Sequence, residues 1–87
     1  MNLLSNNLAR LIRSRRKELG LTQVDLHRLM GWKVNNTQYL SNIELGKCQL
    51  PAKHINKLSQ AIEIKPEMIV FEMTQDYKEA LNKELLK

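Results

Sequence analysis

Apolar side chains recur every three or four residues along most of the chain, which is the spacing of one face of an α-helix. No segment alternates with the period of two that is typical of a half-buried strand. The periodic stretches are separated by the three glycines and two prolines of the sequence, Gly20, Gly31, Gly46, Pro51 and Pro66. Because these residues favour turns and helix ends, the pattern predicts an all-α protein of five helices.

The first two helices are delimited by residues that favour helix ends. Helix 1 is expected over about residues 5–19, and Gly20 can adopt the left-handed conformation that follows many helices. Helix 2 begins at Thr22, which can cap it while Asp25 reaches back in a capping box, and Gly31 ends it. The apolar stripes of these helices predict buried side chains at Leu8, Leu11, Ile12, Leu19, Val24, Leu26, Leu29 and Met30.

The remaining helices are read in the same way. Helix 3 is expected over about residues 37–45, after Asn36 or Thr37 as its cap, with Leu40 and Ile43 facing inward. Pro51 suits the first turn of helix 4, and Pro66 opens a longer last helix over about residues 67–86. In helix 4 the residues at helical spacing are Ala52, Ile55, Leu58, Ser59 and Ile62.

Composition narrows the class of protein. The chain has 87 residues, of which 43% are hydrophobic and 26% charged, so we expect one domain over residues 1–87. Its first residues lack the basic and apolar regions of a signal peptide, so we expect none, and no apolar run approaches the ~20 residues that a membrane span requires. Its only cysteine, Cys48, cannot form an intrachain disulfide. These features indicate a cytoplasmic protein without a membrane partner.

Charge is distributed unevenly along the chain. Residues 1–57 contain ten Lys and Arg against three Asp and Glu, whereas residues 58–87 contain four against six. A basic segment of this kind is typical of a protein that binds a polyanion. The basic segment also contains helices 2 and 3, which identifies the part of the chain where that partner is expected.

The outer face of helix 3 carries amides and hydroxyls in place of the Lys and Glu that solvated helices usually expose. Its residues are Thr37, Gln38, Ser41 and Asn42. Because Gln and Asn can pair bidentately with adenine in the major groove, this face favours a reader of base edges, although a polar face can also be merely solvated.

Two motifs give the chain a family resemblance. They are Gly20-Leu21-Thr22-Gln23-x-Asp25-Leu26 and, after Gly31, Leu40-Ser41-Asn42-Ile43-Glu44-x-Gly46-Lys47. Over about residues 8–71 the chain resembles the Cro/CI-type (XRE) helix-turn-helix family. The resemblance implies a five-helix, lambda-repressor-like DNA-binding domain whose third helix enters the major groove, and a dimer on a near-palindromic double-stranded operator.

The resemblance also assigns roles to individual residues. It implies that Gln23 contacts a phosphate and supports the region of Gln38, with an exposed residue at the start of helix 2 as the alternative. It also implies base-edge contacts from the helix 3 region and a phosphate contact from Lys47. It pairs Glu44 with Arg16 in a structural ion pair. The DNA-binding residues expected in this way are Gln23, Asn36, Thr37, Gln38, Ser41, Asn42 and Lys47.

The sequence departs from the family pattern at two places. The segment from Gly31 to Leu40 is about three residues longer than the usual turn, and we expect Trp32 to be a hydrophobic plug beneath it, with a contact to DNA as the alternative. His27 stands where the family usually has a small alanine. The crossing of helices 2 and 3 is therefore expected to be wider.

The sequence contains no arrangement of residues that is typical of a catalytic or metal-binding site. His27, Cys48 and His54 have no spacing typical of a zinc site or a Cys-His nucleophile, and both histidines are expected at the surface or half-buried. We therefore expect no enzyme activity, no metal, no cofactor and no small-molecule ligand.

The last helix carries a further apolar stripe that continues beyond the family domain, into residues 72–87. The stripe consists of Val70, Met73, Tyr77, Leu81 and Leu85. It can fold back over helix 1 and the Leu3-Leu4 segment or form a homodimer interface, and the sequence favours the second copy.

The combined prediction is a sequence-specific transcriptional regulator, a dimeric repressor or autoregulator. The alternative is an antitoxin-like or adaptor module for protein interaction, and a phage repressor, a restriction-modification controller and an antitoxin stay open within the first class.

Overall fold

The computed structural model describes residues 6–86, and these residues form helices joined by short connections, with no strand among them. The elements are α1 (Asn7–Glu18), α2 (Gln23–Met30), α3 (Gln38–Glu44), a 3₁₀ turn (Ala52–His54), α4 (Ile55–Ile62) and α5 (Pro66–Leu85). The predicted all-α, five-helix architecture is confirmed. The expected start of helix 1 at Ser5 and the Leu3-Leu4 segment lie outside the described residues.

The ends of α2 follow the predicted chemistry. Thr22 Oγ1 accepts a hydrogen bond from the Asp25 amide at 3.0 Å, and the Thr22 amide donates to Asp25 Oδ2 at 2.8 Å. This is a complete capping box, which satisfies two amides at the start of the helix. At the other end Gly31 has φ +75°, a conformation that glycine adopts without strain.

The core consists of apolar side chains from all five α-helices and the segment before α4, namely Leu8, Ile12, Leu26, Met30, Leu40, Ile43, Leu50, Leu58, Ile62 and Ile69. Two residues predicted for this core are exposed instead: Val24 by 38% and Leu29 by 50%. On the helix they lie at the two edges of the buried face formed by Leu26 and Met30. Neighbouring helices therefore cover only the middle of the apolar face of α2 and leave its edges exposed to solvent.

The start of the fourth helix differs from the prediction. Pro51 precedes a 3₁₀ turn, and α4 begins only at Ile55. Ala52, which the helical spacing placed on the buried stripe, is exposed. The tighter 3₁₀ turn rotates residues 52–54 away from the register of α4, so the stripe begins at Ile55.

Helix α5 packs against α1 and α4 of its own chain. The Asp76 carboxylate accepts hydrogen bonds from the amides of Asn7 at 2.9 Å and Leu8 at 3.1 Å. These are the first two amides of α1, which have no partner within their own helix. Met73 is half-buried against the same core. The first half of residues 72–87, which extend beyond the family domain, is thus attached to its own domain.

None of the helices in residues 6–86 is both long and apolar enough to cross a membrane.

Candidate nucleic-acid interface

Helix α3 turns an apolar face inward and an uncharged polar face outward. Leu40 and Ile43 are buried, whereas Gln38 is exposed and Asn42 is half-buried. Gln38 Nε2 donates a hydrogen bond to Asn42 Oδ1 at 2.9 Å, across one turn of the helix. The two amides therefore lie side by side and form one hydrogen-bonded pair on the outside of the motif.

The start of α3 is shaped by Asn36. Its Oδ1 accepts a hydrogen bond from the Gln38 amide at 2.9 Å. Such a side-chain contact to the backbone two residues ahead is typical of an Asx turn. The bond fixes the backbone of Gln38, and it leaves the Nδ2 group of Asn36 for other contacts.

Gln23 connects α2 to the inner edge of α3. Its Oε1 accepts hydrogen bonds from the hydroxyls of Ser41 at 3.1 Å and Thr37 at 3.5 Å. Its Nε2 donates to Glu44 Oε1 at 3.3 Å. The side chain expected to contact phosphate is therefore held against α3, and the hydroxyls of Thr37 and Ser41 donate inward.

The acidic residue of α3 is neutralised within the protein. Arg16 of α1 forms a bidentate pair with Glu44, with Nε 2.7 Å from Oε2 and the second guanidinium nitrogen 2.9 Å from Oε1. Only 10% of the Arg16 side chain and 4% of the Glu44 side chain are exposed. The hydrogen bonds to Glu44, and its negative charge, raise the pKa of Arg16 against the opposing effect of burial. The outer face of α3 thus carries no free carboxylate.

Lys47 follows α3 and is exposed. Its backbone amide donates to the Asn42 carbonyl at 2.9 Å, so that amide already has an acceptor within the protein. Gly46 before it has φ +73°, the left-handed conformation that ends the helix. The ammonium group of Lys47 is the part that a phosphate can meet.

The lengthened turn between α2 and α3 is built around Trp32. Its indole makes edge-on contacts with three rings, at centroid distances of 5.2 Å to His27, 4.7 Å to Tyr39 and 5.3 Å to His54. The half-buried indole also packs against the hydrophobic core. The predicted hydrophobic plug is confirmed, and it joins α2, α3 and the segment before α4.

The expectation for His27 is wrong. A surface or half-buried ring was predicted, but only 1% of the residue is exposed. Its Nδ1 lies 2.7 Å from the Lys33 carbonyl oxygen, and its Nε2 lies 3.3 Å from the Leu40 amide nitrogen. The ring is buried because two backbone groups replace the water that it would lose.

The other candidates for metal or thiol chemistry are scattered. Within residues 6–86 no group of three or more His, Cys, Asp and Glu side chains has the arrangement of a metal site. Cys48 is half-buried, and burial raises the pKa of its thiol. At neutral pH the thiol is therefore protonated.

Comparison with known families agrees with this geometry. A family model described as helix-turn-helix matches residues 12–69, which is more than half of the chain. The match includes the three helices α2, α3 and α4 completely. A search of curated proteins found no match. The resemblance that the sequence motifs indicated is confirmed.

Proposed function

We propose that this chain, which belongs to the XRE-type helix-turn-helix family of DNA-binding transcription regulators, is a sequence-specific repressor. It binds a near-palindromic operator as a homodimer, reads base edges with α3, and represses by occupying that site. The observation that carries the proposal is the hydrogen-bonded pair of Gln38 and Asn42 on the outer face of α3.

The amide pair retains the groups that base recognition needs. The bond between the two side chains uses one hydrogen of Gln38 Nε2 and one lone pair of Asn42 Oδ1. Gln38 keeps its carbonyl oxygen and a second N–H, which match the N6 donor and the N7 acceptor of adenine. Asn42 keeps its own NH₂ group for a neighbouring acceptor. The pair is therefore suited to an adenine next to a base with an acceptor in the major groove.

The contacts around the pair support roles for the other predicted residues. Thr37 and Ser41 hold α3 to Gln23, and their oxygens can still accept hydrogen bonds. Asn36 can donate through Nδ2, and Lys47 provides an exposed ammonium after the helix. Contacts of Gln23 and Lys47 to phosphate would fix the register without selecting a base sequence.

The dimer is proposed from the exposed part of α5. Val70, Tyr77, Leu81 and Leu85 are exposed apolar residues on one side of this helix, next to the half-buried Met73. One motif offers few base contacts, and two recognition helices about 34 Å apart can bind successive major grooves. A two-fold dimer through this stripe would explain why a near-palindromic site is expected.

Selection of bound sequences from a random duplex pool tests the function. We expect an enriched site with two inverted half-sites, and binding that weakens steeply with salt because phosphate contacts release counterions. The alternative, a module for protein interaction through apolar contacts, predicts no enriched sequence and little salt dependence. Recovery of unenriched DNA would contradict sequence-specific recognition.

Removal of the Lys47 charge gives a quantitative test of the phosphate contact. We expect Lys47→Gln to weaken binding to every duplex alike and to reduce the slope of log affinity against log salt by about 0.9. Lys83→Gln, which removes an exposed charge from the last turn of α5, is the matched control and should leave the slope unchanged. Equal slopes for Lys47→Gln and the unmodified protein would remove Lys47 from the interface.

A further inference from the structure

His27 connects three parts of the motif through its two ring nitrogens. It belongs to α2, its Nδ1 contacts the carbonyl of Lys33 in the lengthened turn, and its Nε2 contacts the amide of Leu40 in α3. A backbone carbonyl can only accept a hydrogen bond, and a backbone N–H can only donate one. Both contacts are satisfied together by the tautomer with the proton on Nδ1 and the lone pair on Nε2.

The Leu40 amide, which donates to His27, has no hydrogen-bond acceptor within α3 itself. The first amides of a helix have no intrahelical partner, and an N-cap side chain usually accepts from one of them. In α2 that role is filled by Thr22, which accepts from the amide of Asp25, the third residue of the helix. In α3 the third residue is Leu40, and its amide donates to His27.

Thr37, the residue that precedes α3, is occupied elsewhere. Its side chain makes no capping hydrogen bond, and its hydroxyl is directed toward Gln23 Oε1 at 3.5 Å. Asn36 accepts from the Gln38 amide, and the acceptor for the Leu40 amide is supplied by a side chain of the neighbouring helix. Trp32 packs edge-on against His27 and also against Tyr39 of α3, so the imidazole is held beside the start of that helix.

We propose that His27 is a positioning residue for DNA recognition: it caps the Leu40 amide of α3 from α2 and, together with the bond from Gln38 to Asn36, fixes the positions of Gln38 and Asn42. This inference rests on the proposed function, because it assumes that α3 reads base edges. Gln38 is two residues before Leu40 in the first turn of α3. A shift of this turn would move the amide pair away from its bases while leaving exposed lysines free to meet phosphate.

Two substitutions separate the hydrogen bonds of the ring. The longer side chain in His27→Gln can place a carbonyl oxygen near Leu40, whereas the shorter one in His27→Asn can place an NH₂ group near Lys33 but not reach Leu40. We expect His27→Gln to keep the ratio of affinities for the selected operator and a scrambled duplex. His27→Asn should lower this ratio about tenfold, because one buried amide loses its acceptor. Affinity for the scrambled duplex should change little in both variants.

Measurements without DNA test the cap separately. In the unmodified protein, ¹⁵N NMR of the imidazole should show the proton on Nδ1, and hydrogen exchange of the Leu40 amide should be slow. That exchange should accelerate at least tenfold in His27→Asn and stay slow in His27→Gln, with urea unfolding used to compare global stability. A proton on Nε2, or equal Leu40 exchange in the two variants, would overturn the cap.

The two sets of measurements distinguish failure of the cap from failure of the proposed function. A slow Leu40 amide that depends on His27, combined with no enriched operator, would overturn DNA reading and retain the cap as a structural contact. Equal affinity ratios for the two variants, or ratios that fall only in proportion to global stability, would overturn the positioning role.

Discussion

Gln38 and Asn42 are hydrogen-bonded to each other, so a substitution at one residue also changes the orientation of the other. We expect Gln38→Ala and Asn42→Ala each to weaken binding to the selected operator by about 1 to 3 kcal/mol, the range for a good base contact. Because the residues form one unit, the double variant should lose less than the sum of the single losses. Fluorescence anisotropy at constant salt, with operator and scrambled duplexes, measures both affinities.

The matched control for these variants is Gln60→Ala, which removes an exposed amide from α4. It should change neither affinity. If the alanine variants at positions 38 and 42 retained the unmodified ratio of operator to scrambled affinity, α3 would not be the helix that reads the sequence.

The contribution of the Asp25 carboxylate to the stability of the folded state depends on pH. Hydrogen bonds from the Thr22 amide and hydroxyl lower the pKa of Asp25 from its ordinary value of 3.8, and the nearby Arg28 adds to this effect. A carboxylate with a lowered pKa stabilises the folded state above pH 3.8, and that contribution is lost as pH falls through its folded pKa. Asp25→Asn should therefore be less stable than the unmodified protein at pH 7, with the difference shrinking in acid.

Urea unfolding as a function of pH measures this difference. Glu67→Gln is a suitable control, because Glu67 is an exposed acid in the first turn of α5 and lies outside the capping box. A difference between Asp25→Asn and the unmodified protein that stayed constant from pH 7 to pH 2 would mean that the charge of Asp25 does not contribute through the cap.

For His27, burial could be predicted from the sequence, but its hydrogen-bond partners could not. Leu26 and Met30 define the buried face of α2, and His27 follows Leu26 at the edge of the same face. Helical periodicity could therefore have predicted its burial. Its partners could not be predicted in this way, because the Lys33 carbonyl and the Leu40 amide reach the ring only through the particular path of an irregular turn.

At the level of elements, the pair of Arg16 and Glu44 attaches α1 to α3. Removing one partner of a buried ion pair leaves an uncompensated charge, which costs about 3 to 5 kcal/mol. We expect Arg16→Met to lower the free energy of unfolding by about 3 kcal/mol, since Gln23 still donates to the remaining carboxylate. Arg16→Met combined with Glu44→Met should recover most of the loss, because the buried charge is then absent.

Urea denaturation of the two single variants and the double variant tests this coupling. Arg13→Met is the control, because Arg13 is an exposed arginine of the same helix. Additive losses in the double variant would show that the two side chains do not stabilise α1 and α3 as a pair.

The sequence correctly predicted helix ends that are determined by neighbouring residues in the chain. It did not predict features that depend on how the helices pack against one another. The Thr22 capping box and the left-handed Gly31 gave the bounds of α2, because both act within a few residues. The exposure of Val24 and Leu29 was missed, since periodicity identifies an apolar face but not how much of it neighbouring helices cover. The amide face of α3 followed from residue types alone, whereas the inward bonds of Gln23 required the relative position of α2 and α3.

For the whole molecule, α5 has two different surfaces. Asp76 caps α1 and Met73 packs on the core, so this side of the helix belongs to its own chain. The sequence stripe combined Met73 with exposed residues, because helical spacing alone does not separate a contact within the chain from one between chains. Truncation after Phe71 would remove Met73 and the cap of α1 together, so point substitutions are the better test of the dimer.

The charge variant Leu81→Glu tests the proposed dimer without disturbing these internal contacts. Leu81 is 45% exposed, so a carboxylate there should leave the fold stable but oppose burial against a second copy. We expect the unmodified protein to sediment as a dimer at tens of micromolar and Leu81→Glu as a monomer. Met68→Glu, at a 50% exposed residue on the opposite side of α5, is the control and should remain dimeric.

The same variants connect assembly to DNA recognition. A dimer binds two half-sites with one association event, so its occupancy of linked half-sites gains from both recognition helices. Leu81→Glu should keep the affinity of the unmodified protein for a single half-site and lose the advantage of linked half-sites about one helical turn apart. Met68→Glu should retain this advantage. A monomeric unmodified protein, or a Leu81→Glu variant that still binds linked half-sites as tightly, would place the dimer contact away from the α5 stripe.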